Sequence, residues 1–191
     1  MNLKESETYK NLQTALEKES LAYTQYTFFS DIAKKNGYGY IADVFKNTAH
    51  AEKEHGEQWF KFIKDGSEKS VYNNLIEAMR EEHFETTIMY KEFAKKAREE
   101  GFEEIAKEFE RVGSVEYHHE VQFQTLADLL ESGKLSKAND EIIWECSSCG
   151  FRVYGKEAPE ECPLCKHSKG YYFPKKQVYY RQGGYEWKLN F

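Results

Sequence analysis

The 191-residue chain contains three prolines, and all of them lie beyond residue 158. A long stretch without the strongest helix breaker permits long uninterrupted helices. Cysteine is confined in the same way. The four cysteines form two Cys-x-x-Cys pairs, Cys146/Cys149 and Cys162/Cys165, so no disulfide framework spans the chain. In a reducing compartment such pairs read as metal ligands. No apolar run reaches membrane-spanning length, and Met1-Asn2-Leu3-Lys4-Glu5 enters a charged helical pattern without the apolar segment of a secretory signal. A cytoplasmic protein with no membrane partner is expected. Charge of one sign is also lacking: 27 basic residues stand against 33 acidic ones, a net −6 with no basic stripe. Nucleic acid is therefore not an expected partner.

What is present is helical periodicity. Turn signals at Lys35-Asn36-Gly37, Asp65-Gly66-Ser67 and Glu100-Gly101 divide residues 3–133 into four helices, A to D. Apolar stripes run through Leu12, Leu16, Ala22, Tyr26 and Phe29 in A, and Ile41, Phe45, Thr48, Trp59 and Phe62 in B. They continue with Leu75, Ala78, Met89 and Phe93 in C, and Ile105, Phe109, Val112, Phe123 and Leu126 in D. Each helix is expected to turn its stripe to the core. Composition changes after Gly133, which predicts a helical domain over 1–137, a linker over 138–143 and a small cysteine domain over 144–174. The aromatic tail over 175–191 reads as a hairpin around Gln182-Gly183-Gly184.

Carboxylates and imidazoles interrupt the stripes. Glu19 does so in A, Glu52 and His55 in B, Glu82 and Glu85 in C, Glu116 and His119 in D. A buried unpaired carboxylate costs several kcal/mol, so five of them converging on a core demand compensating positive charge. Two divalent metal ions supply +4 against −5, and each Glu-x-x-His pair supplies one imidazole. The spacings of 33 from Glu19 to Glu52 and 34 from Glu85 to His119 are each centred near a turn, which brings the ligands to one height. This is the ligand pattern of ferritin-like dimetal bundles with one added carboxylate. Tyr26 and Tyr90 are expected near the centre, hydrogen-bonded to ligand carboxylates. His50, His83, His118 and His167 are expected on the surface.

The cysteine pairs, separated by 12 residues, predict a tetrathiolate site. Spacing does not separate zinc from iron. Trp144, Phe151, Tyr154 and Phe173 are expected as its apolar shell.

Glu19, Glu52-x-x-His55, Glu82-x-x-Glu85 and Glu116-x-x-His119, followed by the two cysteine pairs, resemble the rubrerythrin family over residues 3–174. The resemblance implies a ferritin-like four-helix bundle with two non-haem irons, a C-terminal rubredoxin-like iron site, and reduction of hydrogen peroxide. It implies that Glu52 and Glu116 bridge the irons, that Glu19 and Glu82 are terminal ligands, and that Glu85 exchanges with His55 as one iron changes redox state while His119 stays on the other. It further implies an electron donor such as rubredoxin or an NAD(P)H-dependent reductase. Lys166 departs from the pattern, because rubredoxins usually have glycine there, which bears on a backbone N–H to sulfur hydrogen bond. Two other readings use the same residues: an iron-sequestering ferroxidase, and a structural bundle with a zinc ribbon.

The short connection between helices B and C bears on assembly. At 1.5 Å per residue, about 12 residues beyond Glu52 and about 10 before Glu82 leave roughly 33 Å to be covered lengthwise. Some seven connecting residues reach about 24 Å. This excludes a closed ferritin-like monomer and leaves either an up-down-up-down bundle or a homodimer with swapped helical hairpins; the swapped dimer is expected.

Overall fold

A computed structural model describes residues 2–64 and 70–175 in full, and the backbone of 178–181 and 184–187. Most of the B–C connection, with the turn signal at Asp65-Gly66-Ser67, lies outside the described residues. The chain divides at residue 69/70 into two compact units.

The first unit is an antiparallel pair of helices, α1 (Glu7–Lys35) and α2 (Gly39–Ile63). The Ser6 side chain caps α1 by accepting from the Tyr9 N–H at 3.2 Å. Gly37, at φ +80°, ends the helix in the left-handed conformation that suits glycine, and Tyr38 N–H donates back to the Ala33 carbonyl at 3.0 Å. Ala33, Ala42, Ala49 and Gly56 are the buried residues, so small side chains lie where the two backbones approach.

The second unit repeats this design and adds to it. Helix α3 (Val71–Phe84) leads through a π-helical turn, Glu85–Met89, into α4 (Tyr90–Glu99); α5 (Glu103–Glu131) packs against both. Ser70 caps α3 as Ser6 caps α1. Gly101 at φ +86° and the Phe102 N–H to Ala97 carbonyl bond repeat the first turn. The buried residues of α4 and α5 are Ala94, Ala97, Ala106, Gly113 and Ala127.

The four helices expected are present, with the third interrupted. The core stripes need correction: Phe29, Ile41, Phe62, Phe93, Ile105 and Val112 stay substantially exposed. A two-helix hairpin buries only the narrow seam between its backbones, where alanine and glycine sit, and the larger side chains flank that seam.

The remainder of the second unit is a three-stranded antiparallel sheet in the order β2-β1-β3, with β1 at Lys137–Cys146, β2 at Arg152–Glu157 and β3 at Tyr172–Lys175. Residues 138–143, expected as a linker, are part of β1. Lys137 pairs with Glu157, and Ala158 N–H donates to the Ser136 carbonyl, so the sheet begins where the helix ends. Alternation along β1 turns Trp144 and Cys146 inward and leaves Glu145 to accept from Arg152 and Lys175 of the flanking strands. In the tail, β4 (Val178–Arg181) pairs antiparallel with β5 (Gly184–Trp187).

Candidate metal centres

Each helical hairpin gathers a carboxylate-imidazole cluster. In the first, ligand atoms of Glu19, Glu52 and His55 lie within 4.8 Å of one another; in the second, those of Glu82, Glu116 and His119 do the same. His55 Nδ1 is 3.0 Å from Glu52 Oε2, and His119 Nδ1 is 2.6 Å from Glu116 Oε2 and 3.8 Å from Glu82 Oε2. Adjacent ligands on one ion, with bonds of about 2.1 Å at right angles, sit about 3 Å apart, so these clusters fit metal ligation. Burial and then the charge of Glu116 push the Glu82 carboxyl above its ordinary range, with His119 opposing. Divalent cations would relieve that repulsion.

The two clusters are copies. Glu52 and Glu116, His55 and His119, Tyr26 and Tyr90, Phe29 and Phe93, and Phe45 and Phe109 are all 64 residues apart. Tyr26, Phe29 and Phe45 form one aromatic trio, and Tyr90, Phe93 and Phe109 form its counterpart; the two phenylalanines are 5.5 Å apart in both. Glu19 and Glu82, however, are 63 apart. The second copy therefore has one extra residue between its first glutamate and its tyrosine, and this is where the π-turn lies: the Tyr90 N–H reaches back five residues to the Glu85 carbonyl. Periodicity within each separate helix shows neither the repeat nor the extra residue. An alignment of the two halves reveals both.

Glu85 opens the π-turn and stands outside the three-ligand cluster of its hairpin, although its charge acts on Glu82 and Tyr90. Tyr90 is half-buried, and burial followed by Glu85, Glu116 and Glu82 pushes its phenol up. Tyr26 packs within its aromatic trio. His83, expected on the surface, is exposed there and joins α3 to α5 through Glu120 at 2.8 Å.

The four cysteines converge as a third group. Cys146 and Cys165 sulfurs are 3.6 Å apart, as are those of Cys149 and Cys162. A tetrahedron with metal–sulfur bonds of about 2.3 Å has edges of about 3.8 Å, so the donors fit one ion. Both knuckles turn alike. Gly150 N–H donates to the Cys146 carbonyl at 2.8 Å and Lys166 N–H to the Cys162 carbonyl at 3.0 Å. Gly150 has φ +74° and Lys166 φ +64°, so the lysine keeps the left-handed turn that glycine would have supplied. The expected apolar shell is half right: Trp144 is buried and Phe151 packs on it, whereas alternation turns Tyr154 and Phe173 outward. Tyr172, which strand spacing from Cys146 would have revealed, fills the inner place. Burial raises the Cys162 thiol, yet hydrogen bonds from the Cys165 and Leu164 backbone, together with the nearby Tyr172 hydroxyl, lower it to about 6.

No described helix is long and apolar enough to cross a membrane.

Comparison with known proteins agrees with this geometry. The rubrerythrin family model matches residues 10–127, and the model for the rubrerythrin rubredoxin-like domain matches residues 144–173. Rubrerythrin of Porphyromonas gingivalis is 39% identical over 189 residues, covering 93% of this chain and 94% of the relative. Rubrerythrin of Nitratidesulfovibrio vulgaris is 38% identical over 182 residues, with 90% and 95% covered. Nigerythrin of the same organism is 31% identical, with 85% and 83% covered. The carboxylate-imidazole groups fit a diiron site and the four cysteines a rubredoxin-like iron site, and the chain belongs to the rubrerythrin family.

Proposed function

We propose that this chain reduces hydrogen peroxide to water in a reducing cytoplasm. The diiron centre would be built from Glu19, Glu52 and His55 of one hairpin and Glu82, Glu85, Glu116 and His119 of another. The observation that carries this reading is the pair of matching half-sites, each with two carboxylates and one imidazole. One half-site offers too few donors for a two-metal centre, whereas two placed face to face supply the full set. When bound, two ferrous ions supply the two electrons that cleave the O–O bond.

The protein's own groups do the rest. Glu19, Glu52, Glu82, Glu116 and His119 would hold the ions, with Glu52 and Glu116 shared between them and Glu19 and Glu82 serving one each. Glu85 and His55 would serve as alternative ligands to one ion; placement of Glu85 on the π-turn, outside the three-ligand cluster, supports this role. Tyr26 and Tyr90 would donate hydrogen bonds to ligand carboxylates of the assembled centre. Cys146, Cys149, Cys162 and Cys165 would hold an iron that supplies electron transfer, with a rubredoxin or an NAD(P)H-dependent reductase as donor.

The facing half-site belongs to a second copy. Helix α2 ends at Ile63 and α3 begins at Val71, close to the limits expected from the sequence, and the seven residues between are too few to span roughly 33 Å. The exposed apolar flanks of both hairpins, with Phe28 at 62% and Ile32 at 57%, support burial against another hairpin.

Stopped-flow oxidation of the reduced, iron-loaded protein tests the activity. Peroxide is expected to oxidise the diiron centre within seconds and yield water, with Glu85→Ala slowing the cycle while iron content is kept. Oxidation by dioxygen many times faster than by peroxide, or uptake of tens of irons per chain, would favour a ferroxidase and defeat the proposal.

A further inference from the structure

The cysteine domain contains a buried hydroxyl with no hydrogen-bond acceptor at ordinary distance. Tyr172 is 6% exposed and packs in the cluster formed by Trp144, Cys146, Ala158 and Cys162. Its strand places it opposite Cys146 in β-sheet register. Its hydroxyl oxygen is fully buried and makes no hydrogen bond of ordinary length. The other polar atom of that cluster core is committed, since Trp144 Nε1 donates to the Gly155 carbonyl at 3.1 Å. A buried hydroxyl without a partner is costly, so such a group usually marks an acceptor that arrives with a ligand.

The chemistry next to the hydroxyl identifies that acceptor. Cys162 is wholly buried in the same cluster, and as a metal ligand its sulfur carries negative charge. The hydroxyl is directed at the Cys162 sulfur, whereas Cys146 and Cys149 act on it through charge alone. A phenol, with an ordinary pKa of about 10, is protonated at neutral pH and is a donor. We propose that the Tyr172 hydroxyl donates a hydrogen bond to the metal-bound thiolate of Cys162 and thereby raises the reduction potential of the tetrathiolate iron. A hydrogen bond to sulfur withdraws charge from the iron–thiolate unit and favours the ferrous form, which carries one more negative charge than the ferric form. Tyr172 acts here as a positioning and tuning residue, and the inference rests on the assignment of iron to this site.

The direct test is spectroelectrochemical titration of the ferric-thiolate absorption in the full-length, iron-loaded protein and in Tyr172→Phe. A tenfold shift of the equilibrium toward ferric iron is expected in the variant, about 59 mV lower for a one-electron couple. An unchanged potential in folded, iron-loaded Tyr172→Phe would overturn the proposal. A second arm uses the unaltered chain loaded with cadmium-113. A slowly exchanging Tyr172 hydroxyl proton with scalar coupling to the metal is expected, and absence of that coupling would overturn the donor assignment even if the phenylalanine variant does not fold. Failure of the iron assignment would show separately, as a missing ferric-thiolate band in unaltered protein, while the cadmium arm still decides the hydrogen bond.

Discussion

The Cβ of Tyr90 lies 3.1 Å from the point that a Cβ on Gly113 would occupy. In the first hairpin the positions matching these residues are Tyr26 and Ala49, so an alanine is accommodated there. The difference coincides with the π-turn that immediately precedes Tyr90.

Gly113→Ala is therefore expected to destabilise the second hairpin. Alanine gains about 1 kcal/mol of helix propensity over glycine. Overpacking against Tyr90 costs about 1–3 kcal/mol, leaving a net loss of about 1 kcal/mol. Thermal melting of the metal-free protein should show a midpoint lower by about 2–4 °C. A higher midpoint would mean that Tyr90 moves aside freely.

Deleting Met89 restores in the second copy the seven-residue spacing that separates Glu19 from Tyr26 in the first. The π-turn should become regular helix, and Glu82 should rotate by about 100° relative to Tyr90. Helical content by circular dichroism should be retained while iron bound per chain falls by about two. Full diiron occupancy in the deletion variant would show that the turn does not place the ligands.

Arg98 clamps α4 to α5 through paired bonds to Glu110 of 2.7 and 2.8 Å. The hydrogen bonds from Arg98 hold the Glu110 carboxyl below the usual range. A depressed native pKa contributes stability that is present above the unfolded carboxyl pKa, near 4.3, and is lost as pH falls through the lower native value. Metal-free protein should therefore lose part of its thermal stability below pH of about 4, and Glu110→Gln should reduce that acid-dependent loss. Identical acid profiles for the two proteins would contradict the clamp.

Lys166→Gly is expected to stabilise the cysteine domain by about 1 kcal/mol, because a left-handed non-glycine residue costs about 1–2 kcal/mol. The exposed 3.3 Å pair of Lys166 with Glu161, lost in the variant, offsets little of this. The iron-loaded variant should resist thermal loss of its ferric-thiolate colour to a temperature at least equal to that of the unaltered protein. Earlier bleaching would mean that the lysine side chain supports the knuckle.

The sequence revealed much of this architecture, and the exceptions have identifiable causes. Glu-x-x-His spacing is local, so Glu52/His55 and Glu116/His119 could be paired without tertiary information, and Cys-x-x-Cys is equally self-contained. Gly37 and Gly101 marked helix ends because glycine acts on its own backbone. The π-turn was hidden because Met89 and Ile88 suit an ordinary helix; only the 63- versus 64-residue offset between halves betrays it. Helix periodicity located apolar stripes but not their partner, so Phe29 and Ile105 were assigned to a core that one hairpin cannot close. Hydrophobicity alone does not say which of the adjacent strand residues Tyr172 and Phe173 faces inward, and it is Tyr172.

The measurement that bears most directly on a diiron centre assembled from two chains is peroxide consumption by a mixture of Glu52→Ala and Glu116→Ala chains. Each variant alone damages every site. A mixed dimer with swapped hairpins contains one intact site and one doubly damaged site. Random pairing of equal amounts makes half the dimers mixed, so co-refolding should restore about one quarter of the unaltered rate per chain. No recovery from folded, iron-loaded mixtures, or full diiron content and activity in a strictly monomeric protein, would contradict it.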